Sequence, residues 1–302
     1  MAQVPATPKG HRALLRVAAA LSTGLAERVS LQASEAEAIA ARKRPLDLAE
    51  APSPEVVFLV PLVGRHHVGD WSAVSDRLAR TLQSFLRQTD PHWRALICGQ
   101  DRPDGLPDDS RLIWLPFTQA VQGNDKWDKL AALAGALPCL GVRQGWAMPF
   151  DADDLLASHS VAEMRTRRRP GYVVTQGLMH DAATGGWART RPQSLRHPGQ
   201  KSFWKLCGSC AACGFPGSAG PADAAWIGAA TAHEHRMFPY LARLARRPLT
   251  PLSADAALYI VNHGENFGVR RGRVGFKTRF VARYRLTDPG EVAEARSAFP
   301  LG

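Results

Sequence analysis

The chain has 302 residues, 45% hydrophobic and 22% charged, with Lys+Arg 38 against Asp+Glu 27 and a formal net charge of +11. This length buries a full core without staples, and the composition excludes collagen-like, coiled-coil and wholly disordered chains. No stretch reaches the roughly 20 uninterrupted apolar residues of a bilayer-spanning helix, and five cysteines in a chain of this size imply reduced thiols rather than a disulfide framework.

Residues 1–54 read as an N-terminal helical extension and linker. Leu14, Val17, Ala18, Leu21 and Leu25 recur at helical spacing with Arg12, Arg16 and Arg28 outside the stripe. The Ala/Glu-rich run from Gln32 to Arg42 favours a second helix, and Pro45, Pro52 and Pro54 end it as a linker. Two readings of the first helix stand side by side: packed on its own domain, or lying on an anionic membrane surface. Lys9, His11 and Arg12 before Leu14–Leu25 imitate a signal peptide, but Arg16 breaks the apolar run and no small-residue cleavage site precedes Glu27. The expected location is cytoplasmic, with peripheral contact at the inner membrane face as an addition.

From Glu55 the texture changes. Val56 to Val60 is a continuous apolar run ended by Pro61, which suits a strand buried on both faces. Ser72 to Gln88 has helical periodicity through Val74, Leu78, Leu82, Phe85 and Leu86. Strands are expected at Arg94–Gly99, Arg111–Leu115 and Trp146–Phe150, with a helix over Lys126–Leu137. Such alternation predicts a parallel, doubly wound sheet. Residues 55–156 form its nucleotide-binding half. Residues 157–302 are more irregular, with short strands at Tyr172–Gln176, Trp187–Arg191 and Phe203–Cys207, a helix over Ala232–Arg247 and a last strand at Ala257–Val261. The Glu163–Leu206 segment carries nine Arg/Lys against two acids, a field that attracts phosphates.

Met148-Pro149-Phe150-Asp151-Ala152-Asp153-Asp154-Leu155 is the most informative stretch. Three clustered carboxylates at the end of an apolar strand repel one another unless a cation or donors compensate them. Oxygen-only ligands favour Mg²⁺ or Mn²⁺, completed by phosphate oxygens; a helix N-terminus decorated with aspartates is the plainer alternative.

The strand ended by Pro61, the helix Leu82-Gln83-Ser84-Phe85-Leu86-Arg87-Gln88-Thr89, the strand ending Gly99-Gln100-Asp101, the Lys-containing helix and Asp-Ala-Asp-Asp together resemble family 2 type glycosyltransferases of the GT-A fold. The resemblance spans roughly Glu55 to Leu156. It implies an α/β, Rossmann-like, mostly parallel sheet flanked by helices, here with the N-terminal helical extension. It also implies metal-dependent, inverting transfer of a sugar from a nucleotide-diphosphate donor to a saccharide or lipid-linked acceptor, commonly in bacterial surface polysaccharide or lipopolysaccharide assembly.

Carried over residue by residue, the resemblance makes Asp153 the metal-facing carboxylate, with Asp151 near ribose and metal and Asp154 in support. Asp101 would hold the nucleoside, and Pro61 and Leu62 would sit against the base. Gln100-Asp101-Arg102-Pro103 departs from the family's usual run of Asp, Gly and Ser. His263, in Asn262-His263-Gly264-Glu265-Asn266, is expected as a further metal ligand with Asn266 beside it. Glu234, in His233-Glu234-His235, is expected as the base that takes the acceptor proton, with Asp223 as the fallback.

The departing diphosphate gains charge in the transition state, and cations stabilise it. Lys126, Lys129 and Arg165–Arg169 are the candidates, against solvated helix faces as the bland reading. Cys207, Cys210 and Cys213 have a spacing that permits Zn²⁺ or an Fe–S cluster. Trp187, Trp204 and Trp226 could stack on sugars or fill the core.

Two rival functions remain. A nucleotidyltransferase would show a Gly-rich loop after the first strand, and Gly64 and Gly69 are sparse for one. A non-catalytic basic binder of nucleic acid or anionic membrane fits the charge, though the chain has no named nucleic-acid motif and no specific nucleic-acid partner is expected.

Overall fold

The computed structural model describes residues 3–44, 46–50, 53–216, 220–264 and 274–301. Its helices are α1 (Lys9–Leu21), α2 (Thr23–Glu27), α3 (Ala33–Ala41), α4 (Trp71–Leu86), α5 (Lys126–Ala136), α6 (Ser160–Arg167), α7 (Pro221–Thr231), α8 (Phe238–Leu244), α9 (Val274–Arg283) and α10 (Pro289–Ala298). The strands are β1 (Glu55–Pro61), β2 (Trp93–Gly99), β3 (Leu112–Pro116), β4 (Gly145–Pro149), β5 (Leu155–Leu156), β6 (Gly171–Val173), β7 (Gly177–Asp181), β8 (Gly186–Thr190), β9 (Ala211–Phe215), β10 (Thr250–Pro251) and β11 (Ala257–Val261).

The protein is α/β. A seven-stranded central sheet runs β10-β6-β9-β4-β1-β2-β3, and a four-stranded sheet runs β5-β11-β7-β8. The β3-β2-β1-β4 half is parallel throughout, while β9 pairs antiparallel with both β4 and β6. This arrangement is compatible with a Rossmann-like fold.

The apolar run Val56–Val60 is continuous because both faces of β1 are covered. Val56, Phe58 and Val60 point toward Leu78, Leu82 and Phe85 of α4, and Phe58 stacks on Phe85 at 4.0 Å between centroids. Val57 and Leu59 join Leu130 and Leu133 of α5 on the other face. The strand's period of two sorts one run of similar side chains into two separate cores. Asp70 starts α4 by accepting from the Ala73 amide at 2.9 Å.

The helices of the N-terminal extension pack on α7 and α8. Leu15, Ala19, Ala38 and Ile39 share a buried cluster with Trp226 and Leu241. Glu35, fully buried, accepts from Thr7 at 2.7 Å, from Tyr240 at 2.8 Å and from the Gln32 amide at 3.0 Å. A buried carboxylate with three donors ties these helices to the domain firmly, since any donor removed leaves charge uncompensated.

Three expected elements are corrected. Phe203–Cys207 is no strand: Phe203–Lys205 is a single 3₁₀ turn. The helix expected over Ala232–Arg247 begins only at Phe238, because Pro239 in its first turn has no amide to continue a preceding helix. Residues ahead of it are drawn into an extended bridge between Val4 and His233, whose ring bonds Ser34 Oγ at 2.5 Å. The strand expected over Tyr172–Gln176 stops at Val173, and the chain re-enters the second sheet as β7. Strand β9, of sequence Ala-Ala-Cys-Gly-Phe, was not expected. Its small residues have weak strand preference, and pairing on both edges overrides that. No helix among the described residues is long and apolar enough to cross a membrane.

Candidate metal and diphosphate site

From β1 the chain moves outward through β2 and β3, then returns to place β4 on the opposite side of β1. Connections therefore diverge at the carboxyl ends of β1 and β4, where open α/β sheets leave a crevice for ligands. A cavity of about 310 Å³ occupies that position. Pro61, Leu62 and Val63 form one wall after β1, and Asp151 and Asp153 follow β4. His263 reaches it from the end of β11, in the second sheet.

The acidic loop brings carboxylate oxygens of Asp151, Asp153 and Asp154 within 4.8 Å of one another. Although 110 positions apart in the chain, His263 Nε2 and Asp153 Oδ2 lie 2.8 Å apart. Burial alone would raise the Asp153 carboxyl, but the His263 ring, Lys126 and Arg77 outweigh it and hold it below its ordinary value. Asp154 goes the other way: burial, then the charges of Asp153 and Asp151, push it well above the carboxylate range.

Geometry separates the three aspartates by role. Asp154 is fully buried, and its oxygens accept from Ser209 Oγ at 2.6 Å, Cys207 Sγ at 3.0 Å and the Ile260 amide at 3.4 Å. It is the floor of the loop, whereas Asp151 and Asp153 line the cavity. Two cavity-lining carboxylates beside an imidazole suit a hard divalent cation that keeps positions for further oxygen ligands. Asp154, expected as a ligand, has its acceptor capacity committed inward.

The helix sequence ending Gln88-Thr89 fastens this loop from behind. Thr81 Oγ1 donates to the Asp154 carbonyl at 2.8 Å, and Ser84 Oγ accepts from the Leu156 amide at 3.2 Å. Gln88 donates to the Ala157 carbonyl at 2.9 Å and accepts from the Val161 amide at 3.1 Å. From the front, Ser209 Oγ accepts from the Asp151 amide at 2.8 Å. A Cβ on Gly208 would stand 3.1 Å from Asp151 Oδ2, so the backbone approaches the carboxylate as only glycine comfortably permits.

The cations that face the cavity are only partly those expected. Lys126 lies 2.5 Å from Asp151 Oδ1, and the three aspartate charges overcome its burial to raise its pKa. Lys129 is fully buried, donates to the Leu62 carbonyl at 2.6 Å and pairs with Asp125 at 2.8 Å, so it braces the wall rather than offering a free ammonium. Arg77 of α4 and Lys277 of α9, both unexpected, line the cavity, and Lys277 bonds the Tyr259 hydroxyl. Arg165–Arg169 do not line it: Arg165 binds Asp90 and the Pro54 carbonyl, Arg167 binds Glu163, and Arg168 binds the Ala49 carbonyl.

Three further expected residues lie apart from the cavity. Asp101 accepts from the Arg65 amide at 2.9 Å and organises the loop after β1; the carboxylate that lines the wall on that side is Asp125, held by Gln100 at 2.6 Å. Asp223 is buried beside Arg44 at 3.5 Å, away from the lining. Glu234 sits 3.9 Å from Arg236 and also falls outside the lining; its neighbour His235 is within it. Asn266 lies outside the described residues.

The His235 ring is hydrogen-bonded to the Lys205 backbone, while its Nε2, shielded from bulk water, has no partner among the described residues. Burial lowers its pKa to about 4, so the ring is neutral at physiological pH. The unfolded chain binds the proton near pH 6.5 and the folded chain does not, so stability is complete above pH 6.5 and falls toward pH 4. His235→Gln is expected to flatten the acid limb of stability against pH by at most about 3 kcal/mol, read by urea unfolding at intervals across that range. An unchanged slope would contradict a neutral buried ring.

Cys207 and Cys210 face one core and Cys213, on β9, faces the other, with burial raising all three thiols. Opposed side chains cannot converge on one zinc, and the three cysteines fall in no metal-competent cluster among the described residues. Trp187 and Trp226 are buried core, and Trp204 packs against the core edge.

Comparison with family models finds no match, and comparison with curated proteins finds none either.

Proposed function

We propose that the protein transfers a sugar from a nucleoside-diphosphate donor to a hydroxyl acceptor, aided by Mn²⁺ or Mg²⁺. The observation that carries this reading is the meeting of Asp151, Asp153 and His263 in a cavity also lined by Arg77, Lys126 and Lys277, at the carboxyl ends of β1 and β4. The acids and the imidazole suit the ion; the cations suit a diphosphate.

Held by Asp151, Asp153 and His263, the divalent ion would neutralise charge on the leaving diphosphate. Lys126 exchanges its pairing with Asp151 for phosphate oxygens, and Arg77 and Lys277 approach the same group from α4 and α9. These fixed cations act most strongly on charge that develops during bond breaking. Pro61–Val63 offer an apolar wall to the nucleobase, with Asp125 as the nearby acceptor for its donors. The acceptor hydroxyl needs a base, and His235, which lines the cavity, is better placed for that than Glu234, which does not.

The test is a thermal-shift panel of nucleoside diphosphates with and without Mn²⁺, followed by product analysis with the matching sugar nucleotides. A melting-point rise that needs both ion and diphosphate supports the reading, as does release of a nucleoside diphosphate. Release of pyrophosphate would favour nucleotidyl transfer instead. No shift with any pair would remove the diphosphate site.

A further inference from the structure

Helix α1 has two apolar faces, and the domain uses only one. Leu15, Ala18 and Ala19 are buried, whereas Leu14, Val17 and Leu21 are 57%, 60% and 73% exposed, and Leu25 of α2 is 45% exposed. At 100° per residue, Leu14, Val17 and Leu21 fall within one narrow stripe, turned away from Leu15 and Ala19. Six large apolar residues are exposed among the described residues, and four of them stand on this one short segment. Single exposed apolar side chains are ordinary; a contiguous ridge of them marks a contact surface.

The surroundings of the ridge are basic. Lys9 and Arg16 on α1 and Arg28 just after α2 are exposed, as are Arg243 on α8, against which α1 packs, and Arg246 just beyond it. Glu27, on α2, already pairs with Lys43 at 2.6 Å. A second copy of the chain would set these cations against their own images, and like-charge contact opposes it. An anionic surface matches both properties together: leucines enter the acyl boundary while long cationic side chains reach the headgroups.

We infer that the exposed face of α1 and α2 docks the protein on anionic lipid bilayers, with Leu14, Val17, Leu21 and Leu25 as the inserted ridge and Lys9, Arg16 and Arg28 as its headgroup contacts. This inference does not depend on the reaction proposed above.

The experiment is co-sedimentation of the full chain with phosphatidylcholine vesicles with and without phosphatidylglycerol, in wild type and in the Leu14→Glu, Leu21→Glu double variant. Wild type is expected to bind the phosphatidylglycerol vesicles, more weakly as salt rises. The double variant should bind at least about tenfold less, because charge replaces inserted apolar surface. Both positions are exposed, so its melting temperature and any Mn²⁺-dependent nucleotide shift should match wild type, which separates this result from failure of the site reading. Wild type remaining in the supernatant, or undiminished binding by the double variant, would overturn the inference. So would a wild-type dimer, seen by sedimentation velocity without vesicles and dissolved by the substitutions.

Discussion

On the proposed function, Asp153→Asn is expected to reduce sugar-transfer turnover by about 10³-fold and to abolish the Mn²⁺-dependent part of nucleoside diphosphate binding. Asparagine keeps the size of the side chain and its hydrogen bond to His263, so the packing of the loop survives. What it removes is the negative charge that Lys126, Arg77 and His263 hold on this carboxyl despite its burial. A metal ligand needs that charge, and a structural acceptor does not. The substitution therefore separates the two explanations of the aspartate cluster, and stability should stay within about 1 kcal/mol of wild type. Wild-type turnover in Asp153→Asn would assign the cluster to loop architecture alone.

Asp154→Ala should do the opposite. This carboxyl is fully buried, and burial with the charges of the two neighbouring aspartates pushes its pKa well above the ordinary carboxylate range. Alanine leaves Ser209 Oγ, Cys207 Sγ and the Ile260 amide without their acceptor and opens a small void under the loop. The expected loss is about 3 kcal/mol, from unsatisfied donors and the cavity together. Asp154→Asn is the control: an amide of the same shape fills the void and keeps an acceptor oxygen for these donors, so most of the stability should return along with Mn²⁺ binding. Equal loss in both variants, measured by urea unfolding, would show that Asp154 carries charge in the folded protein.

These contrasting roles show where sequence reading stops. Val56–Val60, Arg94–Gly99 and Trp146–Phe150 announce buried parallel strands because they are apolar without alternation, and β1, β2 and β4 stand where they were expected. The Asp151–Asp154 cluster and His263 were legible as chemistry because unusual residue types follow apolar strands. Their meeting at 2.8 Å required two sheets whose pairing no local pattern records.

Other parts were hidden for identifiable reasons. Arg77 and Lys277 sit on helices, where a cation looks like solvated surface until the packing partner is known. Arg165, Arg167 and Arg168, conspicuous in sequence, are spent on Asp90, Glu163 and the backbone carbonyls of Pro54 and Ala49. Glu234 and His235 differ by one position, and only the short 3₁₀ turn that Glu234 leads into decides which of them faces the cavity. Cys207, Cys210 and Cys213 have metal-like spacing, but the first two, ahead of β9, enter one core and Cys213, on β9, enters the other.

The central claim is that Asp151, Asp153 and His263 hold a divalent ion that in turn holds a diphosphate. Its most direct test is an anomalous-scattering map from crystals grown with Mn²⁺ and a nucleoside diphosphate. The account predicts a manganese peak roughly 2.2 Å from carboxylate oxygens of Asp151 and Asp153 and from a His263 ring nitrogen, with phosphate oxygens completing its shell. A map with manganese bound elsewhere, or with the diphosphate bound while those three side chains remain bonded only to protein, would contradict it.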